Sequence, residues 1–211
     1  MAQLTCDITM SLDGFVTGPD PSPEQPLGEG GDRLHQWAYD LEAWREPHGL
    51  SGGTTGNRDA EVMEEAVAAA GATIMGRRMF GGGDGPWDES WQGWWGEEPP
   101  FHHPVFVLTH HPRERLVLRG TTFTFVTDGI ESALEQARAA AAGKDVAVGG
   151  GAEAIQQYLR AGLLDELQVH VAPMLLGQGT RLFDRLEPAD LEIIRTVESP
   201  AVTHIRYRVV R

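Results

Sequence analysis

The amino-acid sequence predicts an α/β fold built on a mainly parallel sheet and finished by an antiparallel strand pair. Three observations predict it. Short β-prone runs alternate with amphipathic helical segments up to about residue 172, the order that parallel strands with right-handed crossovers require. The tail, residues 191–210, reads instead as two strands joined around Ser199-Pro200-Ala201. The 211 residues, 41% hydrophobic and 23% charged, can supply one substantial core, so residues 1–211 are read as a single domain.

Leu4 to Met10 form the first strand, ending at Ser11-Leu12-Asp13-Gly14, where Asp-Gly marks a turn. Residues 18–58 are rich in Pro, Gly and acidic side chains, with Leu34, Trp37, Leu41 and Trp44 at helical spacing, so a loop-and-helix insertion is expected at about 19–58. Asp59 is placed to cap a helix with the stripe Val62, Met63, Ala66, Val67 and Ala70, stopped by Gly71 in a left-handed cap. Strand Ala72 to Met75 follows, and Gly76-Arg77-Arg78-Met79-Phe80 opens a short helix. The stretch from Gly81 to Pro100 reads as an ordered surface loop, in which Trp87, Trp91, Trp94 and Trp95 have the spacing of a helical packing patch.

Val105 to Thr109 and Thr122 to Thr127 are strands on either side of a basic turn with Arg113 and Arg115. Asp128 and Glu131 have capping-box spacing ahead of a helix burying Ile130, Leu134, Ala137 and Ala141. Asp145 to Val148 is the next strand, and Gly149-Gly150-Gly151 leads into a helix with Ile155, Tyr158 and Leu159 inward, ended by Gly162. Leu167 to Ala172 is a further strand, and the apolar run from Val169 to Leu176 offers an edge or face for a second copy. In the last strand Thr203, Ile205, Tyr207 and Val209 share one face and His204, Arg206 and Arg208 the other, the pattern of a half-solvated sheet margin.

Asp and Glu number 31 against 17 Lys and Arg, a net charge of −14 that repels nucleic acid and anionic membranes. Any bound phosphate must then be held by local donors, and since Lys144 is the only lysine those cations are almost all arginines. The N-terminal residues show no leader pattern and no apolar run approaches a bilayer span, so a cytoplasmic protein is expected. Cys6, the single cysteine, excludes an intramolecular disulfide and is expected as a buried thiol on the first strand. The pairs His102-His103 and His110-His111 each offer one ligand on an extended chain, with no acid or cysteine completing a spacing, so no metal site is expected.

Three strand ends carry the candidate chemistry. The Gly149-Gly150-Gly151 junction lets backbone approach a ligand at a helix N-terminus, although a tight turn explains it equally well. Gly76-Arg77-Arg78 repeats the geometry with guanidinium groups attached, and Thr109 precedes Arg113 and Arg115. Each signal is weak alone; together they gain weight because open α/β sheets bind ligands at the C-terminal ends of their strands.

The runs ITMSLDGFVTG, ATIMGRRMF, FVLTHHP, DVAVGGGAEAIQQYLRAGLLDEL and VAPMLLGQGTRLF, in that order from residue 8 to about 183, resemble successive blocks of the dihydrofolate reductase-like superfamily. The VxGGG block and the Leu-Leu-Asp-Glu-Leu segment are more similar to its riboflavin-biosynthesis reductase branch, and the deaminase motif is absent. The resemblance implies a three-layer α/β/α fold, a homodimer, and NADPH across the C-terminal edge of the sheet. It assigns Gly76, Arg77 and Arg78 to the pyrophosphate, Thr109 and a nearby Arg to the 2′-phosphate, Gly149, Gly150, Gly151 and Ala152 to the cofactor backbone, and Thr9 and Val16 to the nicotinamide. The candidate catalytic acid is Asp32, with Asp40 and Glu42 as alternatives and simple helix capping as the structural one. The expected activity is hydride transfer to a small planar heterocycle such as 5-amino-6-(5-phosphoribosylamino)uracil; a folate or pterin reductase and a non-catalytic NADPH-binding protein are the alternatives.

Overall fold

The computed structural model describes residues 2–22 and 24–210. Its strands are β1 (Leu4–Ser11), β2 (Phe15–Thr17), β3 (Ala70–Gly76), β4 (Pro104–Leu108), β5 (Leu116–Leu118), β6 (Thr121–Val126), β7 (Asp145–Gly150), β8 (Glu166–Ala172), β9 (Thr180–Arg181), β10 (Leu191–Glu198) and β11 (Thr203–Val209). Nine of them form one sheet in the order β10-β11-β8-β1-β7-β3-β4-β6-β5, while β2 and β9 pair separately. The six strands from β8 to β6 run parallel, and β11 and β10 close one side antiparallel. The other margin carries β5, an antiparallel strand where the sequence suggests only a basic turn.

Strand alternation gives the sheet two different faces. Leu4 and Cys6 of β1, Val146 and Val148 of β7, Ile74 of β3 and Leu167 and Val169 of β8 point to one side. There they pack on α5 (Ile130–Ala140) and α6 (Ala152–Arg160), which contribute Ala133, Leu134, Ala137, Ile155 and Tyr158. Each large side chain fully buried in this layer contributes about 1.5–3 kcal/mol. The Tyr158 hydroxyl donates to the carbonyl of Ile130 at 2.8 Å, so its polar tip is satisfied. Cys6 is buried there as expected, and burial raises its thiol well above the ordinary value.

The opposite face is covered by α1 (Gln36–Tyr39), α2 (Glu42–Arg45), α3 (Arg58–Ala69) and α4 (Arg77–Phe80), completing three layers. Over β3, β4 and β6, Phe80 packs with Met75, Val105, Val107 and Phe123 under Trp87, Trp91 and Trp95. These tryptophans sit on turns and extended chain rather than on a helix, so their three- and four-residue spacing does not report helical phase.

Several local expectations are corrected. Asn57, not Asp59, caps α3 by accepting the Ala60 N–H at 2.7 Å; Asp59 is buried within the first turn, where His204 of the sheet claims it. Val67 is exposed rather than part of a buried stripe. Gly71 is no left-handed cap, because α3 passes directly into β3. Its role is close approach: a Cβ there would lie 2.2 Å from the Ala141 carbonyl oxygen. The Asp128–Glu131 capping box does not form, and Gly129 stands at the N-cap of α5 without a side-chain bond.

The 34–44 periodicity becomes a five-residue 3-10 turn, Gly31–His35, followed by α1 and α2, with Leu34 and Leu41 buried. β8 lies inside the sheet and offers no edge. His204, assigned to a solvated face, is 2% exposed because α3 and Trp37 cover that side of β11.

Candidate functional site

A cleft of about 1,100 Å³ opens across the C-terminal ends of β3, β4, β6 and β7 and over Ile8 and Thr9 of β1. One end is made of strand-to-helix junctions. β7 runs through Gly149 and Gly150 to Gly151, the N-cap of α6, with a cis peptide between Gly150 and Gly151. Gly150 has φ 127°, a conformation that L side chains rarely adopt, and a Cβ on it would come within 3.3 Å of the Met79 sulfur. No side chain caps α5 or α6, and both N-termini (Gly129 and Ile130, Gly151 and Ala152) line the same cleft. Backbone amides at two helix starts therefore open onto one space, an arrangement suited to an anion.

The arginines of this end differ in availability. The buried Arg77 guanidinium donates to the carbonyls of Gly85 at 2.5 Å and Gly82 at 3.4 Å and stacks 3.7 Å above the Trp87 ring. It holds the Gly-Trp loop, and its Nε and Nη1 atoms have no partner. Arg78 is exposed and stands 3.8 Å from Asp84 and 3.7 Å from Glu153. The "nearby Arg" expected beside Thr109 is absent from the lining: Arg113 is turned away to the carbonyls of Glu89 and Trp91, and Arg115 does not line the cleft. The Thr109 hydroxyl accepts the His111 N–H at 3.1 Å, with His110, His111 and Thr127 beside it.

The other end is roofed by residues 16–22 and 24–44, which bring Val16, Thr17, Glu24, Leu27, Asp32, His35, Tyr39 and Trp44 to the cleft. Burial, with the Asp32 carboxylate beside it, pushes the Tyr39 phenol above its ordinary value. Burial and the proximity of His170 hold the His35 imidazole down at about 4, against a hydrogen bond to the Gly31 backbone, so it is neutral near pH 7. Asp32 does not cap its helical turn, whose N-cap Gly30 makes no side-chain bond. Asp40 and Glu42 do not line the cleft. Asp13 is tied down by Ser11 Oγ at 2.5 Å and by the amides of Leu176 and Gly177 at 3.1 and 2.7 Å.

A buried polar chain beneath this roof has no counterpart in the sequence reading. Asp7 Oδ1 meets His170 Nε2 at 2.6 Å, His170 Nδ1 meets His204 Nδ1 at 2.6 Å, and His204 Nε2 meets Asp59 Oδ1 at 2.9 Å. All three contacts are within hydrogen-bond distance, so the two imidazoles and two carboxylates form one continuous chain. Burial alone would raise the Asp7 carboxyl, but the charge and hydrogen bond of His170 and the bond from Gln168 bring it below its ordinary value. Burial lowers the His204 imidazole against the pull of Asp59. Trp37 covers both rings, with centroids 4.8 and 5.1 Å away, and donates its indole N–H to Thr9 Oγ1 at 3.2 Å. Thr9 and His170 are register partners on β1 and β8, so the same rows of the sheet carry the cleft floor and the anchor of its roof.

The structure brings Thr9, Val16, Asp32, Gly76, Arg77, Arg78, Thr109, Gly149, Gly150, Gly151 and Ala152 to this one cleft, although they span more than a hundred positions of the chain. Sequence reasoning missed His35, Tyr39 and Trp44 as lining residues. Their only signal is that polar and aromatic side chains follow a Gly-rich stretch at residues 28–31. Among the described residues no group of His, Cys, Asp or Glu has the geometry of a metal site, and no helix is long and apolar enough to cross a membrane.

The family model described as the RibD C-terminal domain matches residues 2–204. No curated protein matches the chain. Among solved structures the chain is similar to a putative riboflavin biosynthesis protein from Shewanella sp. PV-4, with 19% identity, a TM-score of 0.62 and all of both chains covered. It is also similar to the riboflavin biosynthesis reductase Rib7 of Saccharomyces cerevisiae, with 13% identity, a TM-score of 0.56, and 99% of this chain and 90% of that one covered. A third is a diaminohydroxyphosphoribosylaminopyrimidine deaminase/5-amino-6-(5-phosphoribosylamino)uracil reductase from Thermotoga maritima, with 13% identity and a TM-score of 0.56, where 99% of this chain spans 57% of the longer one. At these identities the structural likeness establishes the fold, and the family match carries the classification. The chain belongs to the RibD C-terminal domain family of oxidoreductases, on a dihydrofolate reductase-like fold.

Proposed function

We propose that this chain is an NADPH-dependent reductase that delivers a hydride to a small planar heterocycle of the aminopyrimidine class, the class named for its Thermotoga relative. The observation that carries the reading is the pair of α5 and α6 N-termini, both without a side-chain cap, opening with Gly149 to Gly151 onto one cleft. The glycine backbone and helix amides fit the pyrophosphate and adenosine phosphate, and Thr9 and Val16 fit the flank of a nicotinamide ring. Bound there, the nicotinamide supplies the hydride. The chain's own part is to align two flat rings over Thr9, to exclude water beneath the 16–44 roof, and to keep a polar group beside the acceptor. Asp32 and His35 are the groups at hand for that last task.

The preference for NADPH over NADH rests on α5, His110 and Thr127 rather than on an arginine, since Arg113 is engaged elsewhere. A folate-type acceptor is the second reading, favoured by a carboxylate, Asp32, on the first helical turn at the cleft. We further propose a homodimer. The outer strand β10 is exposed along nearly its whole length, with Ile193 63% and Ile194 41% accessible, and is the surface best suited to a second copy.

Parallel titrations with NADPH and NADH, read by energy transfer from Trp44, Trp94 and Trp95 at the cleft, test the cofactor half. Saturable binding that favours NADPH is expected. Binding of neither nucleotide would sink the reductase reading, and binding without oxidation by any aminopyrimidine or pterin would favour a non-catalytic NADPH-binding protein. Light scattering as a function of concentration tests the dimer.

A further inference from the structure

Two of the threonines that line the cleft are buried, Thr9 and Thr109, and their hydroxyls are committed differently. Thr109 Oγ1 accepts the His111 N–H at 3.1 Å and donates to the His111 carbonyl at 3.3 Å, so its hydrogen is used within its own turn. Thr9 Oγ1 has one bond among the described residues, from the indole N–H of Trp37 at 3.2 Å. An indole nitrogen only donates, so Thr9 is the acceptor in that bond and keeps its own hydrogen. A buried O–H without an acceptor is unfavourable until one arrives.

From this we infer that the Thr9 hydroxyl, oriented by Trp37, is the hydrogen-bond donor on the cleft floor that meets a carbonyl oxygen of a flat ring bound over it. The inference rests on the reductase reading and adds two roles to it. Thr9 becomes a donor to the bound ring, where resemblance assigns it only proximity to the nicotinamide. Trp37 becomes a positioning residue, since it does not line the cleft and acts through Thr9.

The sheet supports the placement. β1 pairs with β7 only as far as Cys6 and Val148, but with β8 as far as Ser11 and Ala172. Beyond Cys6 the β7 side of β1 is open, and there the cleft reaches Ile8 and Thr9. Trp37 is seated on His170 and His204, with centroids 4.8 and 5.1 Å away, so rings on β8 and β11 set the direction of its N–H. With one lone pair of Thr9 Oγ1 held by that N–H, the directions left to the hydroxyl hydrogen are restricted. Two ring-bound carbonyl oxygens match this donor: the carboxamide of a nicotinamide and the oxo group of an aminopyrimidine.

The test is calorimetric binding, by the full chain, of two pairs of probes whose members differ in the carbonyl. NADP⁺ is compared with its thionicotinamide analogue, whose sulfur is a weak acceptor, and 5,6-diaminouracil with 4,5,6-triaminopyrimidine on the NADP⁺-loaded protein. In one pair Thr9→Val should weaken the carbonyl member about fivefold or more relative to the other member. Thr9→Ser, which keeps the hydroxyl, should restore the wild-type ratio. Trp37→Phe, which keeps a ring on His170 and His204 but has no N–H, should lower the ratio about twofold to threefold. Loosening of the roof as such weakens both members alike and leaves the ratio unchanged. A change in the first pair assigns the oxygen to the nicotinamide, and a change in the second assigns it to the acceptor. A ratio that Thr9→Val leaves unaltered in both pairs, or that Trp37→Phe leaves unaltered where Thr9→Val lowers it, would overturn the inference. Failure of the reductase reading is seen separately, as wild type that does not bind NADPH.

Discussion

The two ends of the cleft are built by different means. The end proposed for the cofactor consists of strand termini and the residues immediately after them, so each piece is set by a handful of neighbours in sequence: Gly76 to Arg78 after β3, Thr109 after β4, Gly149 to Ala152 after β7. The end proposed for the acceptor is a roof of short turns and one-turn helices that cannot hold its own shape, since helices of four residues have no stability apart from packing. It is fixed from below and from far along the chain, by Trp37 on Thr9, His170 and His204, by Asp59 on His204, and by Leu176 and Gly177 on Asp13. The difference teaches that one half of a site can be local chemistry repeated along a sheet edge while the other half is a product of long-range polar anchoring.

The largest expected effect breaks the anchor. Asp59→Ala leaves His204 buried without its carboxylate and should cost about 3 kcal/mol, seen as a lower urea midpoint. Hydrogen exchange should then quicken in residues 31–45 well before residues 149–160. Uniform quickening at both ends would show that the roof and the sheet form one cooperative unit, contrary to the comparison.

Gly150→Val probes the opposite end. A branched residue at φ 127° is strained by about 1–3 kcal/mol and crowds Met79, so NADPH affinity should fall about tenfold or more. Hydrogen exchange across residues 31–45 should be unaltered. Unchanged affinity would remove Gly150 from the cofactor cradle.

Acidification sharpens the contrast more gently. His35 and His103 have folded-state values near 4, below the ordinary 6.5, so the unfolded chain binds more protons between those limits. Stability should therefore fall as pH drops from about 6.5 towards 4, and His35→Gln should remove part of that slope. A pH-independent urea midpoint across that range would contradict the burial of both rings.

The smallest effect is at the exposed Asp13 turn. Its carboxyl is held down at about 2, first by the Ser11 hydroxyl, so its contribution is present above the ordinary carboxylate range and is lost as pH falls towards 2. Wild type and Asp13→Asn should differ slightly in thermal midpoint at neutral pH and converge in acid. A difference that persists at the lowest pH would assign the effect to turn geometry rather than to charge.

What could be read along the chain, and what could not, follows the same division. The parallel strands, the antiparallel tail, α5, α6 and the glycines at the strand-to-helix junctions were legible because hydrophobic period and Gly-at-a-junction are local properties. Errors arose where a side chain had two possible partners. Asp59 has good capping chemistry, but Asn57 takes the cap and His204, on the far end of the chain, takes Asp59. His204 itself alternates with Ile205 as at a solvated margin, and only the arrival of Trp37 and α3 buries it. Arg77 and Arg113 have the right chemistry for phosphate, yet the Gly-Trp loop supplies carbonyls and ring faces that claim both.

By itself, then, the sequence determined the parallel strands, their crossover helices and the glycines at the strand ends, because those depend on neighbours a few residues apart. Tertiary structure alone decided which carboxylates reach the cleft, which arginines are engaged elsewhere and which histidines meet, because each is settled by competition among polar groups that the chain brings together only after folding.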